Sequence, residues 1–505
     1  MKTFKFIFSR FSLIVISFAL NIAFLVVTIE KWGKYYKWIN ILLIVFAVLA
    51  FFHMLRKNQP PEFKVLWLVM FMVFPLFGIV LYILIGNSHP PKKQIKVMEN
   101  VAEQFNKKQR ELKGIAEHKN LLGYDGIDDY LVNTLGTKAY RADVKFFDLG
   151  EKYFESLVND LKTAKNFIFM EFFIIDYGKI WDEIYSILRQ KVQEGVDVRV
   201  VYDDIGCAGK VGSNFAKGLR KAGIKCEVFN RFLPFVSGIY NNRDHRKIVV
   251  IDGRVAYTGG CNIADEYANV VKKYGHWKDT AVRVGGNGVN NFTMMFLQTY
   301  LACTKKNEDI TKFVVNNESN LGDTYVHPFA TGPSPYSNQL VGENTFINMI
   351  SMAKHKVYVT SPYLIIDSTL TDVLCVAARK GVDVRIVTPH IPDKKIVFNM
   401  TRESYKQLFD AGVKIFEYTP GFIHSKQILV DDKVAFVGTI NLDYRSFVHH
   451  FECGVVLFGG KVIDDIKSDF NNLFDVGQEQ NATTIKTNPL KRLINLLLLT
   501  FRPLF

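Results

Sequence analysis

The sequence is poor in cysteine and has no paired cysteine motif. Six cysteines are spread over 505 residues, without a Cys-x-x-Cys and without regular spacing. A small disulfide-stapled domain and a cysteine-based zinc site are therefore excluded. The pattern favours a reduced domain that faces the cytosol. The cysteines are Cys207, Cys226, Cys261, Cys303, Cys375 and Cys453.

Clusters of carboxylates are also missing. The acidic residues are not grouped as ligands of Mg²⁺ or Ca²⁺ usually are, and we expect no metal and no cofactor. Basic residues outnumber acidic ones by 63 to 49, which gives a net charge of +14. This excess favours an anionic partner, either nucleic acid or an acidic membrane surface. A chain of 505 residues also predicts two or more domains.

One short pattern occurs twice in the chain. Each copy reads His-x-Lys, then four residues, then Asp, and an Asn follows ten residues after the Asp. A single copy would be weak evidence, but two copies with the same downstream offset argue against coincidence. The repeated residues are His245, Lys247, Asp252 and Asn262 in the first copy, and His424, Lys426, Asp431 and Asn441 in the second.

Each copy predicts a strand that enters a hairpin, because a β-branched run follows the Lys and turn residues follow the Asp. Side chains alternate between the faces of a strand. His245 and Lys247 therefore share one face, and the second copy repeats this arrangement. Asp252 and Asp431 point the other way, and we expect them to hold the hairpin.

A histidine beside a lysine suits a phosphate ester. The lysine supplies charge for the phosphoryl oxygens, and the Asn can donate a further hydrogen bond. Imidazole can attack phosphorus or transfer protons near neutral pH. One copy would supply a nucleophile or an acid, whereas two copies placed face to face supply both.

The doubled motif resembles the phospholipase D superfamily, and the segments around it are similar to those of bacterial cardiolipin synthases. These segments are 244–253, 421–426 and 438–447, and the resemblance covers nearly the whole chain. It implies an α/β fold with two duplicated phospholipase D-like domains, the active site at their interface, and transmembrane helices before them.

The resemblance implies transfer of a phosphatidyl group from one phosphatidylglycerol to another, with cardiolipin and glycerol as products and a phosphatidyl-histidine intermediate. His245 would be the nucleophile and His424 the acid and base, although the residues leave the order open. The six motif residues His245, Lys247, Asp252, His424, Lys426 and Asp431 form the catalytic set, and Asn262 and Asn441 would join the lysines around the phosphate.

Two further acids have an implied role. Asp279 and Glu452 each follow a motif, and in the superfamily such acids hold the second ring nitrogen of a catalytic histidine. Glu171 and Tyr363 are further candidates for substrate contact, although core or loop packing is the favoured interpretation of Tyr363. The chain departs from the family at Asp244 and His450, where Asn is common; this leaves the fine substrate preference open.

Three other functions fit part of the pattern. A phospholipase D-type hydrolase or another phosphatidyltransferase could use the same motifs. A membrane-tethered nuclease fits the basic charge, but the apolar segments deliver the site to lipid, and we expect no nucleic-acid partner. An inactive lipid scaffold is disfavoured because the motif residues are intact in both copies.

The first 90 residues predict a membrane anchor with two or three transmembrane helices. Apolar segments cover residues 11–29, 38–55 and 65–85. A cleaved signal peptide is the alternative for the first, but no small-x-small site follows it. Lysines and arginines flank every segment and do not select a topology. We expect a multi-pass protein of the cell membrane with a cytoplasmic catalytic part and leave the number of spans open.

The rest of the chain divides into four predicted regions. Residues 91–129 form a basic helical connector, which is either a solvated linker or a helix on anionic lipid. Internal repeats, such as 195–201 with 381–387, indicate a duplicated domain, and we place the two copies at 130–320 and 321–482. Residues 483–505 have an amphipathic pattern, typical of an interfacial tail or of a helix docked on the protein.

Overall fold

The computed structural model describes residues 34–56, 61–86, 89–111, 121–232, 238–317, 322–337 and 339–481, together with Ile485 and Arg502. The chain forms two compact units. The first contains residues 1–89, 232–242 and 489–505, and the second contains residues 90–231 and 243–488. Apart from Ile485 and Arg502, the predicted C-terminal tail lies outside the described residues, as does the predicted segment 11–29.

The described residues of the first unit form three α-helices, α1 (Lys34–Leu55), α2 (Pro61–Val73) and α3 (Pro75–Ile85). The predicted apolar segment 65–85 is thus two helices and not one. Pro75 has no amide proton and begins α3 at a position where helices tolerate proline, so the chain breaks before it. Buried Trp67 and Phe71 of α2 contact the edge of the Tyr82 ring, with ring centroids 5.0 and 5.5 Å away.

Among the described residues, no helix combines the length and the apolar character that crossing a bilayer requires. Several large apolar side chains of the first unit are nevertheless exposed. On α1 they include Trp38, Leu42, Ile44, Phe46, Leu49 and Phe52.

The second unit starts with α4 (Lys92–Glu111), which lies in the predicted connector. Its apolar residues recur at helical spacing, and four of them are buried. The amide of Gln298 on α9 (Val289–Thr304) donates to the Met98 carbonyl at 3.0 Å, which ties α4 to this unit. The four buried residues are Ile95, Met98, Val101 and Phe105.

A seven-stranded sheet forms the first half, with strand order β2-β9-β7-β6-β3-β4-β5. Helices α6 (Gly150–Lys162), α7 (Lys179–Gln193) and α8 (Phe215–Lys221) belong to this half together with α9. The strands are β2 (Val144–Phe147), β3 (Phe167–Phe172), β4 (Asp197–Asp203), β5 (Lys225–Phe229), β6 (Lys247–Ile251), β7 (Val255–Gly259) and β9 (Ala281–Gly285).

A nine-stranded sheet forms the second half, with strand order β1-β10-β19-β17-β16-β11-β13-β14-β20. Its strands are β1 (Tyr140–Ala142), β10 (Thr324–Thr331), β11 (Lys356–Thr360), β13 (Asp383–Pro389), β14 (Lys414–Tyr418), β16 (Gln427–Val430), β17 (Val434–Gly438), β19 (Glu452–Phe458) and β20 (Gly477–Gln480). Its helices are α5 (Asp125–Leu135), α10 (Val341–Ser351), α11 (Ser368–Arg379), α12 (Lys395–Asp410) and α13 (Lys461–Val476).

The two halves repeat one pairing scheme. Strand β3 is parallel to β4 and antiparallel to β6, and β11 is parallel to β13 and antiparallel to β16. The structure therefore confirms a duplicated α/β fold. One detail differs from the predicted boundaries, because β1, assigned to the first domain, pairs with β10 of the second sheet.

A short parallel pairing joins the halves. Strand β8 (His276–Lys278) pairs with β15 (Gly421–Ile423). Gly421 permits this close approach, since a Cβ there would lie 2.3 Å from the carbonyl oxygen of His276. A second two-stranded pair, β12 (Leu364–Ile365) with β18 (Leu442–Asp443), lies in the second half.

Candidate active site

Each motif histidine lies just before a central strand and binds the backbone of the other half. His245 precedes β6, whose Lys247 pairs with Phe172 at the carboxyl end of β3. The amide of His245 donates to the Phe451 carbonyl at 2.9 Å, and that of His424 donates to the Lys278 carbonyl at 2.7 Å. The two motif copies are therefore docked on each other across the interface of the halves.

The imidazoles exchange carboxylate partners between the halves. Nδ1 of His245 lies 2.9 Å from both carboxylate oxygens of Glu452. Nδ1 of His424 lies 2.7 Å from Oδ2 of Asp279. All four residues are buried. A proton on Nδ1 that is donated to the carboxylate leaves Nε2 of each ring with a free lone pair, which is the form that attacks or accepts a proton.

The two carboxylates are held differently. Glu452 accepts a hydrogen bond from the hydroxyl of Thr439, which also binds the backbone of Cys453. At the corresponding motif position the first copy has Gly260, where a Cβ would lie 1.9 Å from Oδ1 of Asp279. The first copy therefore makes room for its carboxylate, and the second anchors its carboxylate with a hydroxyl.

The motif lysines are almost completely buried beside the histidines. Nζ of Lys247 donates to the carbonyl of His245 at 2.5 Å, and Nζ of Lys426 donates to the carbonyl of His424. Burial lowers the pKa of Lys247 to about 8. Burial lowers the pKa of Lys426 to about 7, with a contribution from the charge of Lys247. Both lysines can thus give or share protons near neutral pH.

Both imidazoles are neutral at pH 7. Burial and the charges of Lys247 and Lys426 hold the pKa of His245 well below its ordinary value. Burial and Lys426 lower the pKa of His424 to about 4, although Asp279 acts in the opposite direction. Because groups of the second copy shift a histidine of the first, the two motifs form one electrostatic site.

The motif aspartates lie at the opposite end of the strands from the histidines. Asp252 accepts hydrogen bonds from the backbone amides of residues 165, 166 and 167, at 2.7 to 2.8 Å. Asp431 accepts from the amides of residues 354, 355 and 356 in the same way, and also from the hydroxyl of Tyr124 at 2.6 Å. These aspartates therefore fix the loop before the neighbouring strand, rather than only their own hairpin.

The two motif asparagines have different surroundings. Oδ1 of Asn262 accepts from the amide of Ile174 at 3.0 Å, and Nδ2 donates to the hydroxyl of Tyr267 at 2.7 Å. Within the described part of the chain, Oδ1 of buried Asn441 has no hydrogen-bond partner. Asn262 thus orders a loop and retains one free N–H, whereas the side chain of Asn441 is less constrained.

Glu171 lies in a buried network and not on an open pocket wall. Its carboxylate is 3.2 Å from the guanidinium of Arg246 and accepts a hydrogen bond from Thr299. Arg246 also binds Asp244 at 3.2 Å. The interpretation of Glu171 as a substrate contact stays a prediction. The hydroxyl of Tyr363 donates to Asp393 at 2.7 Å, which agrees with loop packing.

Several aromatic residues lie beside the motif histidines, and the motifs did not predict them. The rings of Tyr267 and Trp277 lie 5.5 and 5.4 Å from that of His424, and the ring of Phe173 lies 5.0 Å from that of His245. These aromatic walls keep water from the imidazoles and contribute to their burial. Of these aromatic residues, only Trp277 could have been found from the sequence, because it lies two residues before Asp279.

Among the described residues, one group could hold a metal ion, namely His245, His450 and Glu452. A cavity of about 780 Å³ lies elsewhere, between α6 and α13. Its lining includes Lys152, Asp160 and Asp465 but none of the motif residues. The cavity therefore has no part in the chemistry of the histidines.

Comparisons with known proteins identify the family of the chain. The family model described as "Cardiolipin synthase, PLD-like domain" matches residues 157–271 and 346–474, and the model described as "Phospholipase_D-nuclease N-terminal" matches residues 41–87. An uncharacterized protein of Streptococcus mutans is 41% identical over 87% of this chain and 95% of its own length.

Relatives with a functional name are more distant. The cardiolipin synthase of Alkalihalophilus pseudofirmus is 32% identical over 88% of each chain. That of Staphylococcus aureus is 32% identical over 82% of this chain and 85% of its own. The crystal structure of phosphatidylserine synthase from Haemophilus influenzae matches with a TM-score of 0.55 and 13% identity, covering 74% of this chain and 97% of that chain. This last likeness shows the fold alone.

Proposed function

The chain belongs to the phospholipase D superfamily, and on that premise we propose that it is a cardiolipin synthase. It transfers the phosphatidyl group of one phosphatidylglycerol to a second and releases glycerol. The observation that carries this proposal is the exchange of partners, in which His245 binds Glu452 and His424 binds Asp279. The cardiolipin synthases among its relatives support the choice of substrate.

In the first step, Nε2 of His245 attacks the phosphorus of phosphatidylglycerol. The bond from phosphorus to the glycerol oxygen breaks while His424 delivers a proton to that oxygen. The pKa of His424 is about 4 in the free site. An anionic phosphodiester offsets the charges of the lysines and raises that pKa, so the imidazolium forms when the substrate is bound.

In the second step, His424 removes the proton from a hydroxyl of another phosphatidylglycerol. That oxygen attacks phosphorus, the N–P bond breaks, and His245 is regenerated. Lys247 and Lys426 stabilise the negative charge on the non-bridging oxygens, and Asn262 and Asn441 donate hydrogen bonds to them. Glu452 and Asp279 orient the two rings and stabilise their charged forms.

We place the aspartates of the motif in a supporting role. Asp252 and Asp431 bind backbone amides at the far end of the strands, so they position the histidines without contacting the phosphate. No metal or cofactor is part of this reaction scheme, because the two lysines supply the positive charge that the phosphate requires.

The first unit attaches the protein to the cell membrane in this proposal. The exposed apolar side chains of α1 favour lipid over water. Residues 41–87 also match the N-terminal model of the superfamily. The six free cysteines favour a catalytic unit on the cytoplasmic side. A bilayer surface supplies the acceptor lipid at high local concentration, so its hydroxyl competes with water.

The test is a product analysis with purified full-length protein and phosphatidylglycerol vesicles. Cardiolipin and glycerol in equal amounts are expected. Phosphatidic acid without cardiolipin would identify a hydrolase on the same scaffold and reject the proposal. Cleavage of DNA with no lipid product would instead indicate a nuclease.

A further inference from the structure

His450 has no function in the reaction scheme, yet it lies beside the nucleophile. Its ring centroid is 5.5 Å from that of His245, and the side chain is 11% exposed. Nδ1 of His450 is buried and has no hydrogen-bond partner in the described part of the chain. Oε1 of Glu452 lies 3.6 Å from this nitrogen. A buried ring nitrogen without a hydrogen-bond partner indicates a group that is completed by a ligand.

The three side chains converge on one point. His245, His450 and Glu452 each offer one ligand atom, and these atoms lie within 4.8 Å of one another. In a tetrahedral zinc site with bonds of about 2.0–2.1 Å, neighbouring ligand atoms are roughly 3.3 Å apart. The observed separations from the Glu452 carboxylate, 2.9 Å to His245 and 3.6 Å to His450, are close to this value. Small side-chain movements would therefore admit a metal ion.

We propose that His245, His450 and Glu452 form an inhibitory binding site for a zinc-class divalent transition-metal ion. Two imidazoles and one carboxylate are a ligand set that zinc uses in proteins, with a fourth position left for water or a phosphate oxygen. Imidazole ligands select transition metals over Mg²⁺ and Ca²⁺, so those ions do not compete. The binding itself is independent of the lipid reaction, but the inhibition rests on the proposed function.

A metal ion at this site stops the transfer for two reasons. It occupies a nitrogen of His245 and draws electron density from the ring, so the other nitrogen is a poorer nucleophile. It also takes the Glu452 carboxylate, which otherwise orients that ring. The ammonium groups of Lys247 and Lys426 oppose a dication, while the carboxylates of Glu452 and Asp279 offset them.

Among the described residues of the other half, this site is not repeated. His450 lies two residues before Glu452. At the corresponding position of the other half, two residues before Asp279, the chain has Trp277. The centroid of the Trp277 ring lies 5.4 Å from that of His424, which matches the distance of 5.5 Å between the rings of His450 and His245. Indole cannot ligate a metal in this way. We therefore infer one inhibitory ion per chain.

The experiment titrates the purified full-length protein in detergent with Co²⁺, followed by Zn²⁺ in competition. Wild type is expected to bind one Co²⁺ per chain, to show a visible absorption band of low-symmetry cobalt, and to lose that band to Zn²⁺. The variant His450→Asn carries the residue common in the family and is expected to bind Zn²⁺ at least 10-fold more weakly. His390→Asn is the matched control, because His390 is 41% exposed and binds Glu417.

Inhibition is measured on the same proteins with phosphatidylglycerol vesicles. Zn²⁺ is expected to inhibit wild type and His390→Asn at the concentration at which it binds, and His450→Asn only at 10-fold or higher concentration. Equal zinc affinity in wild type and His450→Asn overturns the site, as does absence of cobalt binding in wild type. If His450→Asn does not fold, His450→Gln gives the same comparison. Zinc binding that depends on His450 without any lipid product would reject the proposed function alone.

Discussion

Nδ1 of His245 lies 2.9 Å from both carboxylate oxygens of Glu452, a residue 207 positions further along the chain in the other half of the fold. In the same way, His424 of the second half binds Asp279 of the first half. Neither half holds a motif histidine together with the carboxylate that binds it. The duplication therefore produces one site from two domains, and its geometry depends on their interface.

Replacing Glu452 with Gln tests the contact with His245. The substitution keeps the shape and removes the charge that orients the ring and stabilises its positive form, so kcat should fall by roughly 10²–10⁴. Asp279→Asn should lower kcat to a similar extent, because it removes the charge that orients His424. Lipid product formation under saturating substrate measures both, with thermal unfolding as the control for folding. A near-normal kcat in either variant would show that the carboxylate is dispensable.

The two histidines should differ in the species that accumulates. His245→Ala has no nucleophile, so we expect neither turnover nor a labelled protein. His424→Ala keeps the nucleophile and loses the acid and base, so labelled phosphatidyl groups should remain on the protein while turnover falls by at least about 10²-fold. Samples quenched in a denaturing detergent at neutral pH measure this with phosphatidylglycerol that is radiolabelled at its phosphate, because acid would hydrolyse a phosphorus–nitrogen bond. Label on His245→Ala but not on His424→Ala would reverse the assigned order.

The duplicated α/β fold and the shared face of each His and Lys could be predicted from the sequence. Strand periodicity is local, and the motif repeats with its spacing unchanged. The exchange of Glu452 and Asp279 between the halves could not be predicted, because each acid follows its own motif and only the docking of the domains decides its partner.

Other features depend on contacts that a linear pattern does not contain. The apolar segment 65–85 looked like one helix by composition, but Pro75 divides it. The aspartates Asp252 and Asp431 looked like hairpin residues, and their three amide donors come from a loop far away in the sequence. The sequence shows that Gly260 and Thr439 differ at the same motif position. Only the structure shows why, because Gly260 leaves space for Asp279 and Thr439 donates a hydrogen bond to Glu452.

Gly260→Ala tests the space that Asp279 requires. The new Cβ would lie 1.9 Å from Oδ1 of Asp279, so the carboxylate must move and His424 loses its partner. We expect kcat to fall at least about 10-fold with a smaller change in KM. Gly218→Ala is the matched control, because a Cβ there meets nothing within 4 Å and the residue lies in helix α8. Equal activity of the two variants would contradict the steric argument.

The stability of the protein should fall in mild acid. His424 has an unfolded pKa of about 6.5 and a folded pKa of about 4. Between these values the unfolded chain binds a proton that the folded chain does not, so the free energy of unfolding decreases as pH falls from 6.5 towards 4. His245 acts in the same direction. The effect of His424 on the free energy of unfolding is about 3.4 kcal/mol at most.

Thermal unfolding at pH 7, 6 and 5 measures this dependence. The midpoint should decrease with pH in wild type and decrease less in His424→Gln, which cannot bind the proton. Asp279 does not interfere in this range, because His424 and Lys426 outweigh burial and hold its pKa below the ordinary value. A midpoint that is constant between pH 7 and 5 would show that the buried imidazoles do not control acid stability.

Asp252 and Asp431 should matter for stability more than for chemistry. Each binds three backbone amides, and replacing the carboxylate with Asn leaves at least one of these donors without an acceptor. Asp252→Asn should lower the free energy of unfolding by about 1.5–3 kcal/mol, the range for a lost hydrogen bond to a charged group. The kcat of the fraction that remains folded should change far less than in Glu452→Gln.

Asp431 allows a finer comparison, because the hydroxyl of Tyr124 binds it in addition to the three amides. Tyr124→Phe removes that bond alone and should cost about 1 kcal/mol. Asp309→Asn is the surface control, since Asp309 binds only its neighbour Thr311. Asp252→Asn with unchanged unfolding midpoint and abolished kcat would mean that this aspartate acts in the reaction itself. We do not expect that result, because the five residues of β6 lie between Asp252 and His245 and place the carboxylate at the other end of the strand from the imidazole.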